Sequence, residues 1–362
     1  MQCHALVKLG IDLTLFAKSS NGSIKDLNSA LKKQYGIDFS KVNLKTFWSR
    51  INKGDNLRIA LNAIFYLLTN PQPDVIISRN LYASYVFAVL FRKPLIFETH
   101  LLEIGFKKYL QRSVMLCQHV ATVVISKKLL QHLDEHHSVN PVRPFVLHDA
   151  APEGLKQISF FKRRAELGSL IPQAKGHWRG VCGYFGHLYP GRGIEIIETM
   201  ANERPDVLFL VFGGNEIDIQ SKRKKNNTSN LQFMGHIVHD LALKVMRALD
   251  ILLMPYQKNV SIGVIGHDTA RWMSPMKMFE YMGSAVPIIS SDLPVLREIL
   301  RDGQNALLVP PADPNSWIQA MDRLLSDQNL CMKIGSNAYK AYKSKHTWLK
   351  RAKAILSIAK TL

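Results

Sequence analysis

Ser274-Pro275-Met276-Lys277-Met278-Phe279-Glu280-Tyr281-Met282, followed by Val286-Pro287-Ile288-Ile289-Ser290-Ser291-Asp292 and Arg297-Glu298, reads as loop, helix, short buried strand, turn and helix. Ser274 has the chemistry of an N-cap, and Pro275 falls at the first helical position, where its missing N–H costs nothing. A helix that opens this way directs free N–H groups and a positive dipole end outward, with Lys277 beside them. A diphosphate is the obvious anion for such a place. Glu280 lies one turn deeper on the same side and can accept hydrogen bonds from neutral hydroxyls such as those of a ribose. Taken alone, the segment reads equally well as a capped helix packed on a sheet, so its surroundings decide.

Around it, short apolar runs alternate with helical patterns. Gly180–Phe185, Val207–Phe212, Leu231–Met234, Ile251–Met254, Ile288–Ser290 and Ala306–Val309 predict one set of buried strands. Leu13–Ala17, Val75–Ser78, Pro94–Glu98, Val120–Ser126 and Phe145–Leu147 predict another, with helices over Leu57–Thr69 and Lys127–His136. Alternation of this kind predicts an α/β protein with parallel sheets built from strand–helix–strand units. The expected division is residues 1–165, residues 166–345 and a closing helix over 346–362, with a charged, irregular connection at Glu153–Lys175. Met1–Gly10 reads as the second half of a helix leading into Leu13–Ala17. A doubly wound domain normally opens with a strand and a glycine-rich turn before that helix, so the first domain is expected to lack its first, central strand. On that reading the natural polypeptide, or its active ancestor, begins upstream of Met1.

Gly183-Tyr184-Phe185-Gly186-His187-Leu188-Tyr189-Pro190-Gly191-Arg192-Gly193-Ile194-Glu195 follows a strand and opens a helix. Its glycines let backbone approach a ligand, and Arg192 can pair with phosphate. One such turn is a weak signal. Followed by Val207–Phe212-Gly213-Gly214, Gly235, Asp250–Pro255 and then Ser274–Glu280, it becomes a strong one.

In these segments the chain resembles the family 4 glycosyltransferases, retaining sugar-nucleotide transferases of the GT-B fold, in their Ser-Pro-x-Lys branch. The resemblance is strongest over residues 180–325 and continues, more weakly, to the start. It implies two Rossmann-like domains facing a cleft. It also implies a donor-diphosphate site made by Gly186, His187, Arg192, Gly213, Gly214 and the Ser274, Pro275, Met276, Lys277 helix start, with Glu280 on the ribose. Glu98-Thr99-His100 resembles the segment whose histidine lines the donor-sugar pocket. His187 stands where the family often has Arg or Lys, and Arg192 where it has Lys. The family's two glutamates separated by seven residues are reduced to one, because Trp272 occupies the first position. Asp268 is a candidate to approach the sugar from the same loop, with an exposed loop aspartate as the plain alternative.

The chain has 362 residues and is 47% hydrophobic, which supports two real cores and argues against disorder. Its four cysteines are scattered without metal-ligand spacing, as suits a reduced, cytoplasmic setting. His132, His136 and His137 share a helix end but lack a second ligand cluster, and the resemblance implies neither a metal nor another cofactor. Formal net charge is +19, and residues 1–165 carry 23 Lys and Arg against 11 Asp and Glu. Nucleic acid or an anionic membrane face would suit that charge. Dispersed basic residues and the absence of a recognised module argue against nucleic acid. Leu101–Cys117, with Lys107 and Lys108 beside apolar residues, is able to lie on a bilayer surface such as the inner face of the cytoplasmic membrane, with a half-buried helix that has one solvated face as the commoner alternative for such a stretch. Lys222-Arg223-Lys224-Lys225 reads as a solvated loop. The expected activity is transfer of a sugar from a nucleotide diphospho-sugar to a glycan or lipid-linked acceptor with retention, in cell-surface polysaccharide or lipopolysaccharide assembly. A sugar-nucleotide epimerase of the same fold and an inactive or start-truncated relative are the alternatives.

Overall fold

A computed structural model describes the chain except residues 20–23, 49–53, 139, 227 and 262–267. The chain forms two units, one of Met1–His148 with Trp348–Leu362, the other of Asp149–Thr347. In the first, the order is α1 (Gln2–Lys8), β1 (Thr14–Ser19), α2 (Ile24–Tyr35), β2 (Asn43–Trp48), α3 (Asp55–Thr69) and β3 (Ile76–Ser78). There follow α4 (Leu81–Tyr85), a π-helical turn (Val86–Leu90), β4 (Leu95–Thr99), α5 (Phe106–Met115), β5 (Val120–Val124), α6 (Lys127–His137) and β6 (Pro144–Val146). The second unit contains α7 (Phe160–Leu170), β7 (Gly180–Phe185), α8 (Ile194–Glu203), β8 (Val207–Phe212), α9 (Glu216–Lys225), β9 (Leu231–Gly235) and α10 (His239–Met246). It continues with β10 (Ile251–Met254), α11 (Met276–Ser284), β11 (Ile288–Ser291), β12 (Leu307–Val309), α12 (Pro314–Ser326) and α13 (Gln328–Lys345), before α14 (Trp348–Ala359) returns to the first.

The second unit is one six-stranded parallel sheet in the order β12-β11-β10-β7-β8-β9. Renumbered within the unit, that is 6-5-4-1-2-3, the doubly wound order, and the direction of winding reverses between β7 and β10. Every residue of β7, β8, β10 and β11 is buried, as a sheet covered on both faces requires. That is why these strands lie within one residue of their expected bounds.

In the first unit the strands form two parallel sheets, β1-β2 and β3-β4-β5-β6. Phe16 of β1 and Ile76 of β3 pack on one cluster with Ala60, Ala63 and Leu67 of α3 and Ala83 and Phe87. Strand β2 is absent from the sequence reading because its polar residues Asn43 and Lys45 interrupt the apolar run. Exposed Asn43 and Lys45 alternate with buried Val42 and Leu44, the pattern of a strand with one solvated face.

The boundary falls earlier than expected, between His148 and Asp149. Helix α7, hidden within the charged connection, is tied to the second unit. Leu167 enters its core, Arg163 donates to the Ala285 carbonyl and Arg164 to Asp250. The basic run 222–225 is the last turn of α9, not a loop, and its cations sit at the negative end of the helix dipole. Among the described residues no helix is long and apolar enough to cross a membrane.

Candidate functional site

Open parallel sheets bind ligands beyond the carboxyl ends of their strands, where the winding reverses. At that point in the second unit, β7 runs into the 186–193 loop and β10 into Pro255-Tyr256. Glycine is structurally required there. A Cβ on Gly213, whose φ is +106°, would stand 2.2 Å from the Gly186 carbonyl oxygen, so the turns after β7 and β8 close on each other only without side chains. Gly186 itself has φ +151°, and a Cβ there would lie 3.4 Å from Lys277 Nζ. Gly214, with φ +84°, packs on Leu188.

Lys277, in the first turn of α11, directs its ammonium into this corner. Its stem is half-buried, but Nζ is out of contact with solvent and has no hydrogen-bond acceptor among the described residues. The nitrogen lies 4.1 Å from the Tyr184 ring centroid and 4.4 Å from that of Tyr256. Burial pushes its pKa well below the usual lysine value; the Arg192 charge adds to this and Glu280 opposes it. Arg192 lies 5.3 Å from the Tyr256 ring and donates to its hydroxyl at 3.1 Å. Two cations thus converge on a pair of aromatic faces, where cation–π attraction replaces only part of the lost hydration. His187 contributes no third charge at neutral pH. Burial and then Arg192 lower its pKa, and its ring stacks on Tyr189 at 4.7 Å.

The helix start differs in detail from the sequence reading. Pro275 occupies the N-cap position, and α11 begins at Met276. Ser274 does not cap it; its buried hydroxyl accepts the Asp149 N–H at 2.9 Å. The first-turn N–H groups therefore meet no serine side chain. Glu280 is buried, and its Oε1 is 2.7 Å from Nε2 of His239 at the head of α10. His239 was not singled out in the sequence, since one histidine on an amphipathic helix carries no signal. Asp268 is occupied by its own loop: Oδ1 accepts from the Val260 and Ala270 N–H groups at 2.8 and 2.9 Å. Asp268 is half-buried rather than exposed, and this carboxylate oxygen organises the loop.

His100 belongs to the first unit, just beyond β4. Its Nε2 is 2.9 Å from Glu98 Oε1, and Glu98 is 1% exposed. Glu98 also accepts from Arg351 at 2.9 Å, from Arg79 and from Gln2 at 3.3 Å. Burial alone would raise this carboxyl's pKa. The His100 hydrogen bond and the Arg351 and Arg79 charges outweigh it and hold Glu98 well below the usual carboxylate range. Of the other histidines, His137 is buried on Gln111 at 2.8 Å and His132 pairs with Glu135 at 3.2 Å.

Residues 180–327 match the family model of the group 1 glycosyl transferases. A phosphatidyl-myo-inositol mannosyltransferase of Mycolicibacterium smegmatis is 25% identical over 126 residues, covering 35% of this chain and 30% of that protein. The chain thus matches about a third of that curated relative's length. Among solved structures, HepE of Anabaena in complex with UDP superposes with a TM-score of 0.69 at 15% identity, covering 97% of this chain and 100% of that one. Sucrose-phosphate synthase of Thermosynechococcus elongatus gives 0.75 at 16%, covering 99% and 91%. These likenesses establish the fold class as GT-B.

Proposed function

We propose that the protein is a glycosyltransferase that binds a nucleotide diphospho-sugar in its second unit and transfers the sugar, with retained configuration, to a glycan or lipid-linked acceptor. The observation that carries the reading is the Lys277 side-chain nitrogen, buried at a helix N-terminus beside Arg192 without an acceptor among the described residues. A bound diphosphate supplies the missing acceptors and is held by Arg192, Lys277 and the first-turn N–H groups of α11. Glu280 accepts from the ribose, displacing or sharing His239. The match of residues 180–327 to group 1 glycosyl transferases supports this placement.

Chemically, the protein's task is electrostatic. Cations fixed where the leaving diphosphate gathers charge stabilise the transition state, and no metal or other cofactor is needed for that. Turnover that survives excess EDTA would agree. Loss restored by magnesium or manganese would refute it.

The acceptor side rests on the first unit. Helix α5 exposes Phe106 and Tyr109 beside Lys107, Lys108 and Arg112, and α3 exposes Leu57, Leu61, Phe65 and Leu68 along one face. Apolar side chains interleaved with cations suit an anionic membrane surface, where a lipid-linked acceptor would be met. The phosphatidyl-myo-inositol after which the Mycolicibacterium mannosyltransferase is named points the same way. Cell-surface polysaccharide or lipopolysaccharide assembly at the inner face of the cytoplasmic membrane is the setting we propose. The test is calorimetry with UDP- and GDP-sugars, followed by product analysis with lipid-linked acceptors. Binding without any acceptor transfer, accompanied by donor epimerisation, would favour a sugar-nucleotide epimerase instead.

A further inference from the structure

We infer that Glu98 is a positioning residue that fixes His100 as the Nε2–H tautomer and thereby presents its Nδ1 lone pair to a substrate hydroxyl. The inference rests on the reading of His100 as a contact to the donor sugar. Side chains two apart on a strand point to the same face, so the His100 ring lies over the Glu98 carboxylate as β4 ends. The 2.9 Å bond joins Nε2 to Oε1. A carboxylate held ionised only accepts hydrogen bonds, so the ring nitrogen facing it carries the proton. A neutral ring then has its lone pair on Nδ1, and no partner of that atom is found among the described residues. His100 keeps 28% of its side-chain surface, whereas Glu98 keeps none. One ring edge is therefore anchored while the residue stays accessible.

The surroundings separate this role from a plain ion pair. Arg351, 3% exposed, and Arg79 already compensate the Glu98 charge from two directions. Gln2 bridges Arg351 and Glu98 from α1, which packs on α14. The carboxylate is thus immobilised without His100, and the bond to the imidazole adds orientation. A second set of bonds holds the segment from its other side. Buried Gln111 of α5 donates to Thr99 Oγ1 and to the Leu101 carbonyl, each at 2.9 Å, and accepts the Glu103 N–H at 3.1 Å. The residues flanking His100 are fixed, and Glu98 sets the remaining freedom, that of the ring.

The tautomer can be read in the unmodified full chain by two-bond 15N–1H correlation spectra of histidine-labelled protein, with His100 assigned by the signal lost in His100→Gln. The expected neutral ring is protonated on Nε2. Protonation on Nδ1, or averaging between tautomers, overturns the proposal, and neither result depends on Glu98→Gln folding. For chemistry, Glu98→Gln should lower kcat about tenfold or more with the donor KM little changed. It should cost nothing further in a His100→Ala background. Additive losses, or a loss confined to KM, overturn the proposal. Nucleotide calorimetry keeps the underlying reading separate: absence of nucleotide binding in the unmodified chain would sink the donor site without changing the tautomer result.

Discussion

Each unit buries an ionisable group, and the two differ in what surrounds it. In the first, the Glu98 carboxylate has Arg351, Arg79, His100 and Gln2 around it, all within hydrogen-bond reach. In the second, the Lys277 amine has aromatic faces and a neighbouring cation, but no acceptor among the described residues. A buried charge costs several kcal/mol unless it is paired and hydrogen-bonded. The first cluster meets that requirement within the folded chain, so it orders structure. The second does not, and that unmet requirement is what the proposed diphosphate would supply.

The most direct way to break the comparison is to remove each charge and follow stability. Glu98→Ala leaves Arg351 buried without its partner and should lower the unfolding free energy by about 3–5 kcal/mol, seen as a lower denaturation midpoint for the first unit. Lys277→Ala removes an unsatisfied charge and should leave the midpoint of the second unit unchanged or higher. Equal losses in both would erase the distinction. The pH dependence has a definite sign. Glu98's folded pKa is depressed, so its contribution is fully present above the unfolded carboxylate pKa and is lost as pH falls below it. Lys277 is a base with a depressed folded pKa. The unfolded chain therefore binds the extra proton, and the second unit should gain stability as pH rises from the lowered value toward that of an ordinary lysine. Acid and alkaline unfolding of Glu98→Ala and Lys277→Ala, each compared with the unmodified chain, would show both slopes.

The next effect concerns ligand. Lys277→Ala should weaken nucleoside-diphosphate binding by about 1.5–3 kcal/mol, the worth of a charge-assisted hydrogen bond. Glu280→Gln should reduce affinity for nucleoside diphosphates more than for inorganic diphosphate. Calorimetry that shows neither change would remove the donor site from the Ser274–Glu280 segment. Smaller again, at about 1 kcal/mol per basic residue, is the loss of anionic-vesicle binding expected of Lys107→Ala and Lys108→Ala, with salt weakening the unmodified chain in the same assay. Binding to neutral vesicles of equal strength would point away from a charged membrane surface. The smallest signal is a proton. Anion binding should restore the Lys277 charge, so nucleotide titrations in buffers of different ionisation enthalpy should show net uptake at pH values above the lowered pKa, and none in Lys277→Ala.

The two units also differ in how readable they were. Strands β7, β8 and β10 were found to the residue because a strand covered on both faces has to be apolar throughout. The residues around Lys277 were found because a glycine-rich turn and a Ser-Pro helix start keep their spacing in the chain. Strand β2 and helix α7 escaped because a half-solvated strand and a charged helix look locally like loop. The Ser274 capping role was a local inference that a longer-range bond to the Asp149 N–H displaced.

The sequence by itself determined that this is an α/β chain with two sets of parallel strands, and it raised the expectation of an anion site at the Ser274–Lys277 helix start with Arg192 and Glu280 beside it. Periodicity and helix-end chemistry act over a few residues, so they can be read along the chain. Only the tertiary structure decided that Tyr184 and Tyr256 enclose the Lys277 ammonium, that His239 meets Glu280, and that Arg351 of the last helix reaches Glu98 across 253 positions of sequence. Whether a buried charge is satisfied depends on which distant side chains the fold brings within about 3 Å of it, and no local pattern records that.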